Sequence, residues 1–250
     1  MAYVAPYRGD EVIILPGCRL ETLNSDSGVI QNRTAQHRSS LAGGSSGFGA
    51  AISRSFLAEG AKVYIGDIQL GGVEAIANEY PGQAIAGHLD VTIRAEWDAA
   101  IANIEKHFGT LGILVNNAGT SHRNKTTLEV TEEEFRRTFD VNCLGIFHSV
   151  QAVFPIVIKQ DHVVCLNISS VRAERPRRGL VWYNASKGAV SKSTKGPALE
   201  YGSARIRVNS ISPLLSSTGL FEPFTGVADK SRGSPTVHRE CPPWPASGGR

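Results

Sequence analysis

Cysteine, net charge and long apolar runs are all scarce in this chain, and each shortage removes a class of function. Its 250 residues hold four cysteines, Cys18, Cys143, Cys165 and Cys241, without the spacing of a metal-ligand set. They read as reduced and structural, and no metal site is expected. A formal net charge of +3 is too small to argue for a nucleic-acid partner. The one dense cluster of charge, Arg172, Arg175, Arg177 and Arg178, reads as a solvated loop. No apolar run reaches the length that spans a bilayer. Near the amino end, Val12-Ile13-Ile14-Leu15 stands beside Asp10 and Glu11, which is no secretory signal. A cytoplasmic protein without a membrane partner is the expectation.

Forty-one per cent of the residues are hydrophobic, enough for one soluble domain with a sizeable core. From Gly43 to about Ser212 short apolar strands alternate with amphipathic helices. KVYIGD, GHLDV, LGILVNNAG, HVVCLNISS and RIRVNSISP read as strands, most of them continuous apolar runs that suit burial on both faces of a parallel sheet. Residues 48–59, 70–79, 94–108, 131–158 and 183–201 have helical periodicity. The alternation predicts a doubly wound α/β domain of Rossmann-like type, with ligands at the carboxyl ends of its strands.

Gly43-Gly44-Ser45-Ser46-Gly47-Phe48-Gly49 precedes the first helical segment. Glycines there permit a tight turn and close backbone approach to a pyrophosphate, which meets the positive end of the helix. The next strand ends in Asp67, where a carboxylate can accept from both adenosine ribose hydroxyls. An acid at that point repels a 2′-phosphate and favours NAD over NADP. Asp90 and Val91, at the end of the third strand, are placed against the adenine. Asn117, Ala118 and Gly119, at the end of the fourth, line the cofactor with backbone groups.

Tyr183 and Lys187 stand four residues apart in WYNASKGAV. On a helix that step puts phenol and ammonium on one face, about one turn apart. A cation held close favours a phenolate, so the pair can do proton chemistry that neither residue does well alone. Ser170 lies upstream in LNISSVRAER.

The glycine-rich loop, Asp67, Asp90-Val91, the NNAG run, Asn142 in FDVNCLGIF, Ser170 and Tyr183/Lys187 together resemble the short-chain dehydrogenase/reductase superfamily, in its order and spacing. The resemblance implies a homodimer or homotetramer that oxidises an alcohol or reduces a ketone with a nicotinamide cofactor. It looks like bacterial and fungal members, some of which act on polycyclic terpenoid or polyketide alcohols. It makes Tyr183 the acid/base, Lys187 the group that tunes it and binds the nicotinamide ribose, and Ser170 the anchor of the substrate oxygen. Asn142 would hold a water linking Lys187 to solvent, and Thr218 the nicotinamide carboxamide. By their apolar character Leu214, Leu215, Phe221 and Phe224 read equally as a cover over the substrate pocket and as residues packed on the core.

The chain also departs from that pattern. QNRTAQHRSSLAGG is too polar for a central strand, so residues 1–41 read as an irregular leader and the domain as 42–228 without a proper first strand. KSRGSPTVHRECPPWPASGGR lacks apolar periodicity. Residues 229–250 therefore read as a disordered, frameshifted tail that replaces the last strand. Degenerate codons also allow a retained intron ending near Ser40–Ala42. Gly196-Pro197 is expected to interrupt the helix that carries Tyr183. These departures leave two alternatives to an active enzyme: an inactive remnant, or a nucleotide-binding protein without catalysis.

Overall fold

The computed structural model describes residues 38–159, 163–214 and Phe224, with residues 38–42 described by their backbone. The chain divides at Arg33, and every described residue belongs to the second unit. Strands β1 (Arg38–Ala42), β2 (Lys62–Asp67), β3 (Ala84–His88), β4 (Ile113–Asn116), β5 (Val163–Ile168) and β6 (Ile206–Ile211) form one parallel sheet in the order β3-β2-β1-β4-β5-β6. Helices α1 (Gly47–Ala58), α2 (Leu70–Glu79), α3 (Arg94–Phe108), α4 (Glu132–Phe139), α5 (Gly145–Val157) and α6 (Val181–Glu200) make the crossovers. Two apolar clusters, one on each side of the sheet, bury the strands. Val63, Ile65 and Val115 pack in one, and Tyr64, Leu114, Cys165 and Val208 in the other. Successive residues alternate between them, as the period of a strand requires.

The first strand is present, which corrects the expectation of its loss. RSSLA lies at the centre of the sheet, with Leu41 opposite Ile65 on one side and Val115 on the other. A parallel ladder is made of backbone amides and carbonyls, so side-chain polarity did not prevent pairing. Residues 38–41, expected to close an irregular leader, belong to this strand instead. The rest of that leader, Cys18 and Cys241, Leu215, Phe221, Thr218 and the tail 229–250 lie outside the described residues. A strand following β6 would do so as well.

The third strand is AIAGH rather than GHLDV. Its small side chains carry little apolar signal, while buried Leu89 already belongs to the loop beyond it. Helix α6 runs through Pro197 without interruption, another correction. A proline deprives the carbonyl four residues earlier of its partner. Here that residue is Ser193, which is exposed to water, and the Pro197 carbonyl still accepts from Tyr201 N at 2.9 Å. Helix α5 carries Pro155 in the same way. The carbonyl that this proline leaves, Gln151 O, accepts from Arg94 Nη2 at 3.3 Å.

Helix α4 starts with a capping box: Thr131 Oγ1 accepts from Glu134 N, and Glu134 Oε2 from Thr131 N. Acidic residues fill its first turn and Arg136 and Arg137 its last, in line with the helix dipole. A π-helical turn, Asp140–Leu144, joins α4 to α5. The continuous stretch Glu132–Val157 is, among the described residues, one helix long and apolar enough to cross a membrane by length and composition. That corrects the expectation that no segment suffices. In the fold its residues Ala152, Val153, Phe154 and Val157 belong to the core.

Candidate active site

Every strand of a parallel sheet delivers its carboxyl end to one edge, and along that edge lies a cavity of about 890 Å³. Its floor is the glycine turn. Gly43 has φ +75°, and a Cβ there would come within 2.7 Å of the Ala118 backbone, so the two loops approach as closely as glycine allows. Asn117 Nδ2 fastens them by donating to Gly43 O at 2.6 Å. Ser45, Ser46, Gly47 and Phe48 line the cavity. Gly49 does not; it sits inside the turn, where a Cβ would strike the Gly43 carbonyl. Ser46 makes no side-chain cap, which leaves the first amides of α1 without that partner at the cavity wall.

Asp67 lines the cavity beside this turn and holds it in place. One carboxylate oxygen accepts from Ser45 N at 3.0 Å and the other from Gln69 N at 2.9 Å. Asp90 and Val91 also line it, on the loop past β3 rather than at the strand's end. Asp90 Oδ1 accepts from Thr92 N and Oγ1, and Val91 O accepts from the Trp97 indole at 3.1 Å. Asn117, Ala118 and Gly119 complete that wall.

Ser170, Tyr183 and Lys187 meet at the other end, all lining the cavity and nearly inaccessible to solvent. Ser170 follows β5, and its Oγ accepts from Arg172 N at 3.1 Å, a cap on the short turn Val171–Ala173. The same hydroxyl acts on the Tyr183 phenol and favours its ionised form. Burial raises the Tyr183 pKa above its ordinary value of 10.0, against the pull of the Ser170 hydroxyl and the Arg172 charge. Lys187 Nζ lies 5.9 Å from the centre of the Tyr183 ring and donates to Ile168 O at 2.7 Å. Burial pushes its pKa down from 10.5 to about 8, with the neighbouring Cys143 thiol acting the other way. In this state the groups that lower the phenol's pKa are Ser170 and Arg172; Lys187, itself pulled toward its neutral form, is not among them.

Asn142 lies behind the cavity wall, buried in the π-helical turn. A π turn adds a residue to the helical repeat and re-aims the side chains around it. The Asn142 amide bridges three elements: Oδ1 accepts from Thr120 N at 2.8 Å, and Nδ2 donates to Thr120 O and to Ser186 Oγ, each at 2.9 Å. Ser186 Oγ in turn donates to Tyr183 O. Gly119 is where these groups come closest, since a Cβ there would sit 3.4 Å from both Asn142 Oδ1 and Lys187 Nζ.

Phe224 packs on Tyr183 with ring centres 4.7 Å apart and lines the cavity with Leu214. Ser186 and Arg172 are the residues that sequence reasoning missed. Arg175 and Arg178 are exposed, as a solvated loop requires, but Arg172 of the same cluster lines the cavity. Its position two residues past Ser170 was the available signal. Cys143 and Cys165 are free thiols, and among the described residues no cluster of metal-ligating side chains occurs.

The sheet order, the glycine turn and the tyrosine–lysine end together define a dinucleotide-dependent oxidoreductase. Residues 40–226 match the family model described as short chain dehydrogenase. The 4-formylbenzenesulfonate dehydrogenase of Comamonas testosteroni is 39% identical over 192 residues, covering 76% of each chain. A 3-alpha-(or 20-beta)-hydroxysteroid dehydrogenase of Mycobacterium bovis is 40% identical over 180 residues, 72% of this chain and 69% of that one. Among solved structures, a 3-ketoacyl-(acyl-carrier-protein) reductase from Brucella melitensis complexed with NADH superposes with a TM-score of 0.74 at 36% identity, over 76% of this chain and 80% of that one. The chain belongs to the short-chain dehydrogenase/reductase family and is an oxidoreductase of small molecules.

Proposed function

We propose that the protein transfers a hydride between NAD(H) and a secondary alcohol or ketone borne on a ring system, a polycyclic terpenoid or polyketide alcohol being one candidate class. The observation that carries this reading is the convergence of Ser170, Tyr183 and Lys187 on the cavity whose other end is the glycine turn. The relatives named for hydroxysteroids and for formylbenzenesulfonate support a cyclic substrate. Within the family, the domain runs from Arg38 to about residue 228, and a homodimer or homotetramer is the expected assembly. Exposed Phe147 on α5 and Val181 and Leu199 on α6 support association through those helices.

The residues present fit a dinucleotide. The uncapped first turn of α1 offers amide donors to a diphosphate, at the end of the helix where negative charge is favoured. Asp67 offers a carboxylate for ribose hydroxyls and repels a 2′-phosphate, which favours NAD over NADP. Asp90, Val91, Asn117, Ala118 and Gly119 would bound the adenine and ribose, and Thr218 the carboxamide. The bound nicotinamide supplies the hydride acceptor or donor.

Tyr183 moves the proton: as phenolate it takes the alcohol's proton, and as phenol it returns one to the ketone oxygen. Ser170 holds that oxygen beside the phenol and keeps its hydrogen bond through the step. Lys187 binds the ribose and, once a ligand replaces part of its lost hydration, its positive charge lowers the phenol's pKa. Asn142 positions Lys187 and Tyr183 through Ser186 and Gly119. A panel of cyclic secondary alcohols assayed with NAD and with NADP tests the reading. Turnover with tighter binding of NAD is expected. Saturable NAD binding with no turnover across the panel would leave a binding protein instead.

A further inference from the structure

We propose that Asn124 is a positioning residue that seats Phe224 on the Tyr183 phenol, and through it sets how well the site takes an apolar ring. This rests on the hydride-transfer reading above and adds the residue that shapes the substrate wall.

The Asn124 amide nitrogen carries two protons, and both go to carbonyls distant in the chain. Nδ2 donates to Arg178 O, just ahead of α6, and to Phe224 O, each at 3.3 Å. Gly179 makes room for that amide: its φ is +76°, and a Cβ there would strike Asn124 Oδ1. Lys125 N donates to Gly179 O at 3.1 Å and closes the same junction. The loop that carries Asn124 is itself held. Lys125 Nζ pairs with Glu134 Oε2 at 2.6 Å, and Thr126 and Glu129 form a capping box on the next turn.

Phe224 links this junction to the chemistry. Its ring packs with Leu180 and Tyr183 in a small apolar cluster, 4.7 Å from the centre of the Tyr183 ring. With Val171, Pro213 and Leu214 it lines the cavity, an apolar surface that favours a substrate bringing apolar area to it. The same packing keeps water from the phenol, whose pKa burial raises. One hydrogen bond to the Phe224 carbonyl is modest in energy, yet it restrains the backbone from which the ring reaches Tyr183. The other groups that act on the phenol are Ser170 and Arg172 after β5; Lys187 lies near it on α6, with Cys143 of the π turn beyond.

The test is titration of the Tyr183 phenolate in wild type, N124A, F224A and N124A/F224A, each read as a difference from its Y183F counterpart. Asn124 is exposed, so alanine there leaves the core intact, and none of these variants removes a charged neighbour of the phenol. F224A should lower the phenol's pKa by about half a pH unit or more as water returns. N124A should lower it too, the double variant should match F224A, and G179A, which displaces the amide, should act as N124A does. Calorimetric titration of the NAD-saturated protein with 2-decalone reads the substrate side. N124A should weaken decalone about threefold or more while NAD affinity holds. An unchanged phenol in N124A, a further lowering by N124A on top of F224A, failure of wild type to bind decalone, or an equal loss of NAD affinity would overturn the proposal. Neither readout needs turnover, so a failure of the hydride-transfer reading shows separately, as absence of ketone-dependent NADH oxidation.

Discussion

The ammonium nitrogen of Lys187 donates to the carbonyl oxygen of Ile168 at 2.7 Å, inside a wall that excludes water. One carbonyl does not replace a hydration shell, which is why the lysine's pKa falls to about 8. Between about pH 8 and pH 10 the unfolded chain holds a proton there that the folded chain lacks, so folding stability contributed by this site rises with pH. The full effect is on the order of 3 kcal/mol. Urea unfolding of wild type and K187M across that range checks it. The wild-type midpoint should climb relative to K187M as pH rises, and K187M should be the more stable protein near neutrality.

The Tyr183 phenol is held above its ordinary pKa by burial, with Ser170 and Arg172 pulling down. Removing either partner should raise it further. Phenolate absorbance, taken as the difference between each protein and its Y183F counterpart, should titrate later in S170A and in R172Q than in wild type. In the oxidation direction, the rising limb of kcat/KM against pH should move the same way.

Asp67 accepts from Ser45 N and Gln69 N and so stiffens the glycine turn while presenting negative charge to the ribose site. D67N keeps most of the shape but removes the charge. Fluorescence titration should show weaker NADH binding and stronger NADPH binding, a combined change in preference of about tenfold or more. An unchanged ratio would detach cofactor choice from this residue.

Asn142 makes three hydrogen bonds, two part-buried ones to Thr120 and a buried one to Ser186. N142A leaves those groups unsatisfied, at a cost of about 2–4 kcal/mol. Urea denaturation should show that loss. Steady-state kinetics should show kcat falling more than the affinity for NAD, because Asn142 lies behind the tyrosine end of the cleft.

Much of this architecture was readable from residue pattern. KVYIGD and the apolar cores of LGILVNNAG and HVVCLNISS carry enough continuous hydrophobicity to declare buried parallel strands, and the helices kept their predicted bounds within two residues. β1 was not readable, because RSSLA is short and polar and its place is secured by backbone ladders to β2 and β4. The β3 boundary failed for a related reason: AIAGH has small side chains, and the stronger apolar residue, Leu89, lies in the loop. Pro197 looked like a break, since sequence alone does not reveal that the carbonyl it orphans belongs to an exposed residue. The cavity lining at Asp67, Ser170, Tyr183 and Lys187 was legible from spacing, whereas the inward placement of Arg172 depends on how the turn after β5 folds.

The most direct test of the account is hydride transfer by Y183F, followed as NADH formation in single turnover, with NAD affinity measured on the same sample. The account predicts that transfer falls by at least about a hundredfold while NAD binds as in wild type. Transfer by Y183F at the wild-type rate would contradict it.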